Sequence, residues 1–175
     1  MKKFCLLLTV ILISIMLMSC SNANEPGQPT ESPTATPAGD TVSVDFYYYY
    51  DTEDDKDIIS FEKADISLEN MVDDTIFHMK EINDIQINDL WFEGNKICVD
   101  LNTSESYANF LQGSTGAYIT TNILLRTFFS FPDVDEIEFL LDGKQGAEGD
   151  HFNFDHIFKP EDLDLYSEYI EIRQP

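Results

Sequence analysis

Apolar and polar positions change period several times along the chain, and each change marks an element. Val42-Ser43-Val44-Asp45-Phe46 alternates with period two and runs into Tyr47-Tyr48-Tyr49-Tyr50. β-Branched and aromatic residues in that pattern predict a strand whose aromatic end meets neighbours on both faces. The charged stretch 51–57 reads as a turn, and Ile58 to Ile66 predicts a second strand. Ser67 is placed to cap a helix from Leu68 to Met79, with Leu68, Met71, Val72, Thr75, Ile76 and Met79 as its apolar stripe. Ile85 to Phe92 and Lys96 to Leu101 predict a hairpin around Glu93-Gly94-Asn95, where Gly and Asn tolerate positive φ.

After a polar stretch from Asn102, the run Thr115 to Phe129 predicts a second helix. Tyr118, Ile119, Asn122, Ile123, Leu125 and Phe129 recur in it at helical spacing. Phe131-Pro132 stops that helix, because proline has no amide to donate. Val134 to Leu141 predicts a strand, Asp142-Gly143 turns it, and 151–155 returns as a short partner strand. Residues 160–175 alternate only weakly. The order strand, strand, helix, hairpin, helix, hairpin, tail predicts an α+β fold: a mixed or antiparallel sheet with two helices packed on one face.

The pattern before residue 41 is of another kind. Lys2 and Lys3 precede an apolar stretch from Phe4 to Leu17, broken only by Thr9 and Ser14. That stretch is short for a permanent membrane span and suits a secretory signal. Leu17-Met18-Ser19-Cys20 follows, and it resembles the bacterial lipobox, with Ser19 at the small position and Met18 a looser fit. The resemblance implies cleavage before Cys20 and a diacylglyceryl group on its thiol. Residues 21–40 carry Pro26, Pro29, Pro33 and Pro37 among Thr, Ser, Asn and Gly, a composition that cannot bury a core. The organisation expected is a signal peptide over 1–19, a lipidated Cys20 with a tether to 40, and one domain over 41–175 whose tail begins at about 156. The anchor places that domain on the extracytoplasmic face of a bacterial membrane.

Charge narrows the partners. Thirty-three Asp and Glu face ten Lys and Arg, a net charge of −23. With Lys2 and Lys3 in the signal, the mature chain is more acidic still. Nucleic-acid binding needs a basic footprint that this chain lacks, and anionic headgroups repel the domain. Aromatics at 13% set it apart from a disordered acidic tail. Of three cysteines, Cys5 lies in the signal and Cys20 is the lipid site. Cys98, inside Ile97-Cys98-Val99, reads as a small core residue without a disulfide partner.

One stretch carries a resemblance to a family. Thr127-Phe128-Phe129-Ser130-Phe131-Pro132, then Val134, then a strand closing on Asp142-Gly143-Lys144, is similar to the end of the GerMN domain of sporulation and spore germination. Ile97-Cys98-Val99-Asp100-Leu101-Asn102 is similar to that family's Val-Asp-Leu-Ser-like strand, and Val44-Asp45-Phe46-Tyr47 to its opening strand. The chain lacks the family's Gly-Pro after the first helix and its Pro-Gly connection, so the resemblance is to a divergent member. It implies a fold akin to ring-building domains of sporulation and secretion machinery. It further implies a non-catalytic module that contacts proteins in envelope or spore assembly or germination, with no catalytic residue and no cofactor to carry over.

Candidate chemistry is sparse. Asp51, Glu53, Asp55, Asp57 and Glu62 have spacings like a calcium loop, but Lys56 stands where glycine is needed, and a solvated turn explains them better. His151 and Asp155 share a strand face while His156 points away, so no metal sphere is completed. His78 falls on the polar side of the first helix. Ser114, in Gly113-Ser114-Thr115-Gly116, lacks the nucleophile-elbow pattern. Paired carboxylates for hydrolysis are uninformative in so acidic a chain. Tyr48, Tyr50 and Trp91 are the aromatic candidates for a surface that stacks on a protein partner or on a glycan such as peptidoglycan, although alternating residues of these stretches also serve the core, which is the favoured reading for them. A wall hydrolase is the least favoured reading.

Overall fold

The computed structural model describes residues 39–50, 58–103, 113–148, 151–165 and 170–174. They belong to one compact unit, Pro37–Pro175. β1 (Thr41–Tyr50) pairs antiparallel with β2 (Ile58–Ser67) in unbroken register from Thr41 opposite Ser67 to Tyr50 opposite Ile58. α1 (Met71–Asn83) follows, then β3 (Ile87–Glu93) and β4 (Lys96–Leu101). α2 (Ser114–Phe129) leads to β5 (Glu136–Leu141). The chain finishes with β6 (Ala147–Glu148), β7 (Asn153–Phe154), the single turn α3 (Asp162–Leu165) and β8 (Glu171–Ile172).

The fold is α+β, with its strands divided between two mixed three-stranded sheets, β1-β2-β8 and β3-β4-β5, and a small β6-β7 ribbon. The expected partnership of 134–141 with 151–155 is replaced by another. β5 lies parallel to β4, from Lys96 opposite Glu136 to Leu101 opposite Leu141. β7 pairs with β6 instead. Both edges of β5 are thereby paired, with β4 on one side and Phe158 on the other, and Ile137 and Phe139 are fully buried on one face. Both helices bridge the two sheets, α1 touching β1, β2 and β3, and α2 touching β1 and β5.

Local chemistry explains the boundaries. α1 begins at Met71, not Leu68, because Ser67 makes a turn of its own. Its hydroxyl accepts from Glu69 N and its carbonyl accepts from Asn70 N. Leu68 is therefore left about half exposed, at 51%. α1 ends on Asp84 in the left-handed region, φ 55°, whose amide bonds back to Lys80 O. In the β3–β4 turn only Gly94 takes positive φ, 68°, and Asn95 does not, which fits a II′-type turn. Asp142 and Gly143 both take positive φ, 47° and 73°, as an Asp-Gly turn requires. Asp142 then holds three strands together: its carboxylate accepts from the Thr103 hydroxyl and amide and from Asn88 Nδ2.

The core runs from Val44, Phe46, Ile59 and Ile66 through Met79, Ile97, Val99, Leu124 and Phe128 to Phe139. It continues into the C-terminal segment. The Phe139 ring lies 4.8 Å from Phe154 and 5.5 Å from Phe158, and Phe158 is fully buried. Residue 156 therefore marks no end to the packed region.

The strand edges are closed by different means. Asp45 N donates to Ser130 Oγ at 3.0 Å and Tyr47 N to Thr127 Oγ1 at 3.1 Å. Tyr47 O accepts from Asn83 Nδ2 at 2.9 Å. Three side chains from the two helices thus occupy the edge of β1 that faces away from β2. This accounts for Thr127 and Asn83 being buried despite their polarity.

Candidate functional site

Strand alternation sends Leu90, Val99 and Phe139 into the core and turns Trp91, Cys98 and Glu138 to the opposite face of β3-β4-β5. These three form one row, Trp91 opposite Cys98 opposite Glu138. A chain of polar contacts runs beside it. Trp91 Nε1 donates to Glu93 Oε1 at 3.0 Å, and Lys96 Nζ lies 3.0 Å from Glu93 Oε2 and 2.7 Å from Glu138 Oε2. Gln145 Nε2 donates to Glu138 Oε1 at 2.7 Å. The Lys96 and Glu138 side chains are only 17% and 18% exposed, so this pair is partly desolvated and fixed, whereas Glu93 is open to water.

Next to Glu138 lies an open cleft of about 280 Å³, lined by Glu138, Gln145, Phe154, Asp155, His156 and Ile157 among others. The His156 ring lies 4.3 Å from that of Phe158, and its Nδ1 lies 3.3 Å from Asp155 Oδ1. The cleft therefore offers two carboxyl groups, an amide and an imidazole beside an exposed Ile157.

Electrostatics set the charge states here. The Trp91 indole N–H and then Lys96 hold the Glu93 carboxyl below its ordinary range. Hydrogen bonds to Glu138 and Glu93 raise the Lys96 ammonium above its usual value. Burial, followed by the neighbouring carboxylates, pushes the Cys98 thiol up to about 11. At neutral pH this row thus holds a carboxylate, an ammonium and a protonated thiol.

The residues singled out from sequence do not form one patch. Trp91 stands on the second sheet, while Tyr48 and Tyr50 end β1 on the first. Tyr50 is 38% exposed, and its ring is partly taken, because Arg173 Cζ lies 4.7 Å from the ring centroid. His78 is not on an open face; its ring stacks on Phe46 at 4.8 Å. Cys98 is 1% exposed and free of any disulfide, the core residue its surroundings suggested. Ser114 is the exposed first residue of α2. Asp51, Glu53, Asp55 and Asp57 lie outside the described residues, as do Cys20 and the tether up to 38. Among the described residues no three His, Cys, Asp or Glu side chains converge as metal ligands do. Sequence reasoning missed Glu93, Lys96, Glu138 and Gln145. Alternation on Lys96-Ile97-Cys98-Val99 and on Glu136-Ile137-Glu138-Phe139 signals their shared outward face, but only the parallel β4–β5 register joins them.

No family model matches the chain, so the GerMN resemblance rests on the residues quoted for it. No curated protein matches it either. Among solved structures, a 2.5 Å crystal structure of a candidate lipoprotein from Clostridium perfringens is similar. The identity is 12% and the TM-score 0.42, over 83% of this chain and 97% of that one. At that score the likeness carries no further argument. No helix among the described residues is long and apolar enough to cross a membrane.

Proposed function

We propose that this chain is a lipid-anchored lipoprotein of the extracytoplasmic membrane face, carrying a non-catalytic module that binds proteins in envelope or spore assembly or germination. The observation that carries the proposal is Leu17-Met18-Ser19-Cys20 behind a basic and then apolar start and ahead of a Pro-rich tether. Two or more acyl chains on Cys20 give a stable anchor, and the tether gives reach. The GerMN-like residues support the module reading. They coincide with β1, β4, the end of α2 and the Asp142-Gly143 turn, which is where a divergent member would keep them.

The test has two parts. Labelled palmitate enters the wild-type chain and is absent from a Cys20→Ala variant. In-cell cross-linking during growth and during sporulation then captures a small set of envelope proteins with the wild type alone. Equal labelling of both chains removes the anchor. Capture of nothing specific at either stage removes the interaction role. A second reading, peptidoglycan binding, is favoured by Trp91 and the cleft beside Glu138; sedimentation with purified wall that is lost in Trp91→Ala would establish it.

A further inference from the structure

Among the described residues, several sheet edges are closed wholly or in part by the chain's own groups. β1 is sealed by Ser130, Thr127 and Asn83. On β3, Leu90 N is taken by Asp89 Oδ1 at 2.9 Å. On β5, Ile137 exchanges both backbone bonds with Phe158, at 3.0 and 2.8 Å, and Leu141 N donates to Lys144 O. Among the described residues, β2 is covered only at its start, where β8 lies parallel to Ile58 and Ile59.

Strand geometry shows which groups remain. Leu68 N bonds to Asp40 O, continuing the ladder in which even-numbered residues of β2 face β1. Arg173 N bonds to Ile59 O, so the odd-numbered ones face outward. The amides and carbonyls of Phe61, Lys63 and Asp65 therefore point away from β1, and among the described residues none has a backbone partner. Proteins commonly guard such an edge with a free lysine. Lys63 is the one cation between Phe61 and Asp65, and it is tied back across the ribbon to Asp45 at 3.3 Å. Its exposed neighbours Glu62 and Asp65 leave the edge acidic.

We propose that this stretch of β2, from Phe61 to Asp65, is the docking edge of the module, and that its partner is an extended basic segment of another envelope protein, added as a strand. The proposal rests on the interaction reading above and gives it a site. Backbone pairing supplies affinity, and charge supplies choice. Glu62 and Asp65 are three residues apart and so lie on opposite faces of the ribbon. The partner therefore carries cations three residues apart, one opposite each acid. A second copy of this chain would bring acids against acids and is disfavoured.

The test uses the mature full chain in detergent and a capped seven-residue peptide of Thr and Val with two lysines three positions apart. Binding is expected to slow exchange of the Phe61, Lys63 and Asp65 amides about tenfold. It is expected to weaken about tenfold when alternate peptide amides are methylated, and again in a Glu62→Gln, Asp65→Asn chain. Lys63→Pro removes an outward donor and is expected to abolish binding. Should that chain fail to fold, the methylated peptide and the carboxylate variants decide. Absence of binding, binding indifferent to methylation, or equal binding of a glutamate peptide would each overturn the proposal. In cells, partner capture that survives Glu62→Gln, Asp65→Asn overturns the docking edge while leaving the interaction role standing.

Discussion

The two edges of the β1–β2 ribbon differ in who completes them. The β1 edge is finished by hydroxyl and amide side chains of the two helices and the cap of α2, far away in sequence, with Thr127 and Asn83 themselves buried. Among the described residues, the β2 edge is finished for two residues by a short strand and is bare beyond them. An edge sealed by buried side chains cannot accept a strand without unpacking a helix. An edge left as bare backbone can accept one at no such cost. The difference also recasts Thr127 and Asn83. They serve as fixed partners for β1, where a strand would otherwise sit.

The largest break in that comparison comes from the register pair Phe46 and Glu62. Phe46 is fully buried and stacked on His78, and Phe46→Ala is expected to cost about 3–5 kcal/mol in urea unfolding. Next in size is an alkaline loss in the second sheet. Cys98 holds its proton up to about 11 in the folded chain, against an ordinary 9.0. The unfolded chain therefore loses that proton first. The contribution is intact below pH 9 and lost as pH rises toward 11, by up to about 3 kcal/mol. Denaturation curves at pH 8 and 11 should show this loss, and Cys98→Ala should reduce it. Third, Thr127→Val keeps the shape and strands the Tyr47 amide, which is expected to cost about 1–2 kcal/mol. Smallest is Glu62→Ala on the open side, within about 0.5 kcal/mol, since Glu62 is exposed. Equal costs for Thr127→Val and Glu62→Ala would mean that the edges do not differ.

What the sequence made legible was local. The tyrosine-rich strand, the Lys96–Leu101 strand, the helix stopped before Phe131-Pro132 and the Asp142-Gly143 turn all follow from period and turn chemistry within a few residues. The helix after Ser67 was legible to within a turn, because Ser67 could equally cap the helix or bend the chain before it. What escaped was carried by distance along the chain. Thr127 and Ser130 meet β1 some 80 and 85 residues away. Glu138 meets Lys96 only because β5 inserts parallel to β4. Phe158 completes the core from a stretch whose alternation is too short to announce a strand. Tyr50 was legible as an aromatic at a strand end, but the arginine lying over it was not.

Native-state hydrogen exchange of the full chain tests the contrast of edges most directly. The account predicts slow exchange at the amides of Asp45 and Tyr47, released only with unfolding of the ribbon against its helices. It predicts fast exchange, near that of free peptide, at Lys63 and Asp65. Comparable protection at all four amides in the unbound chain would contradict it.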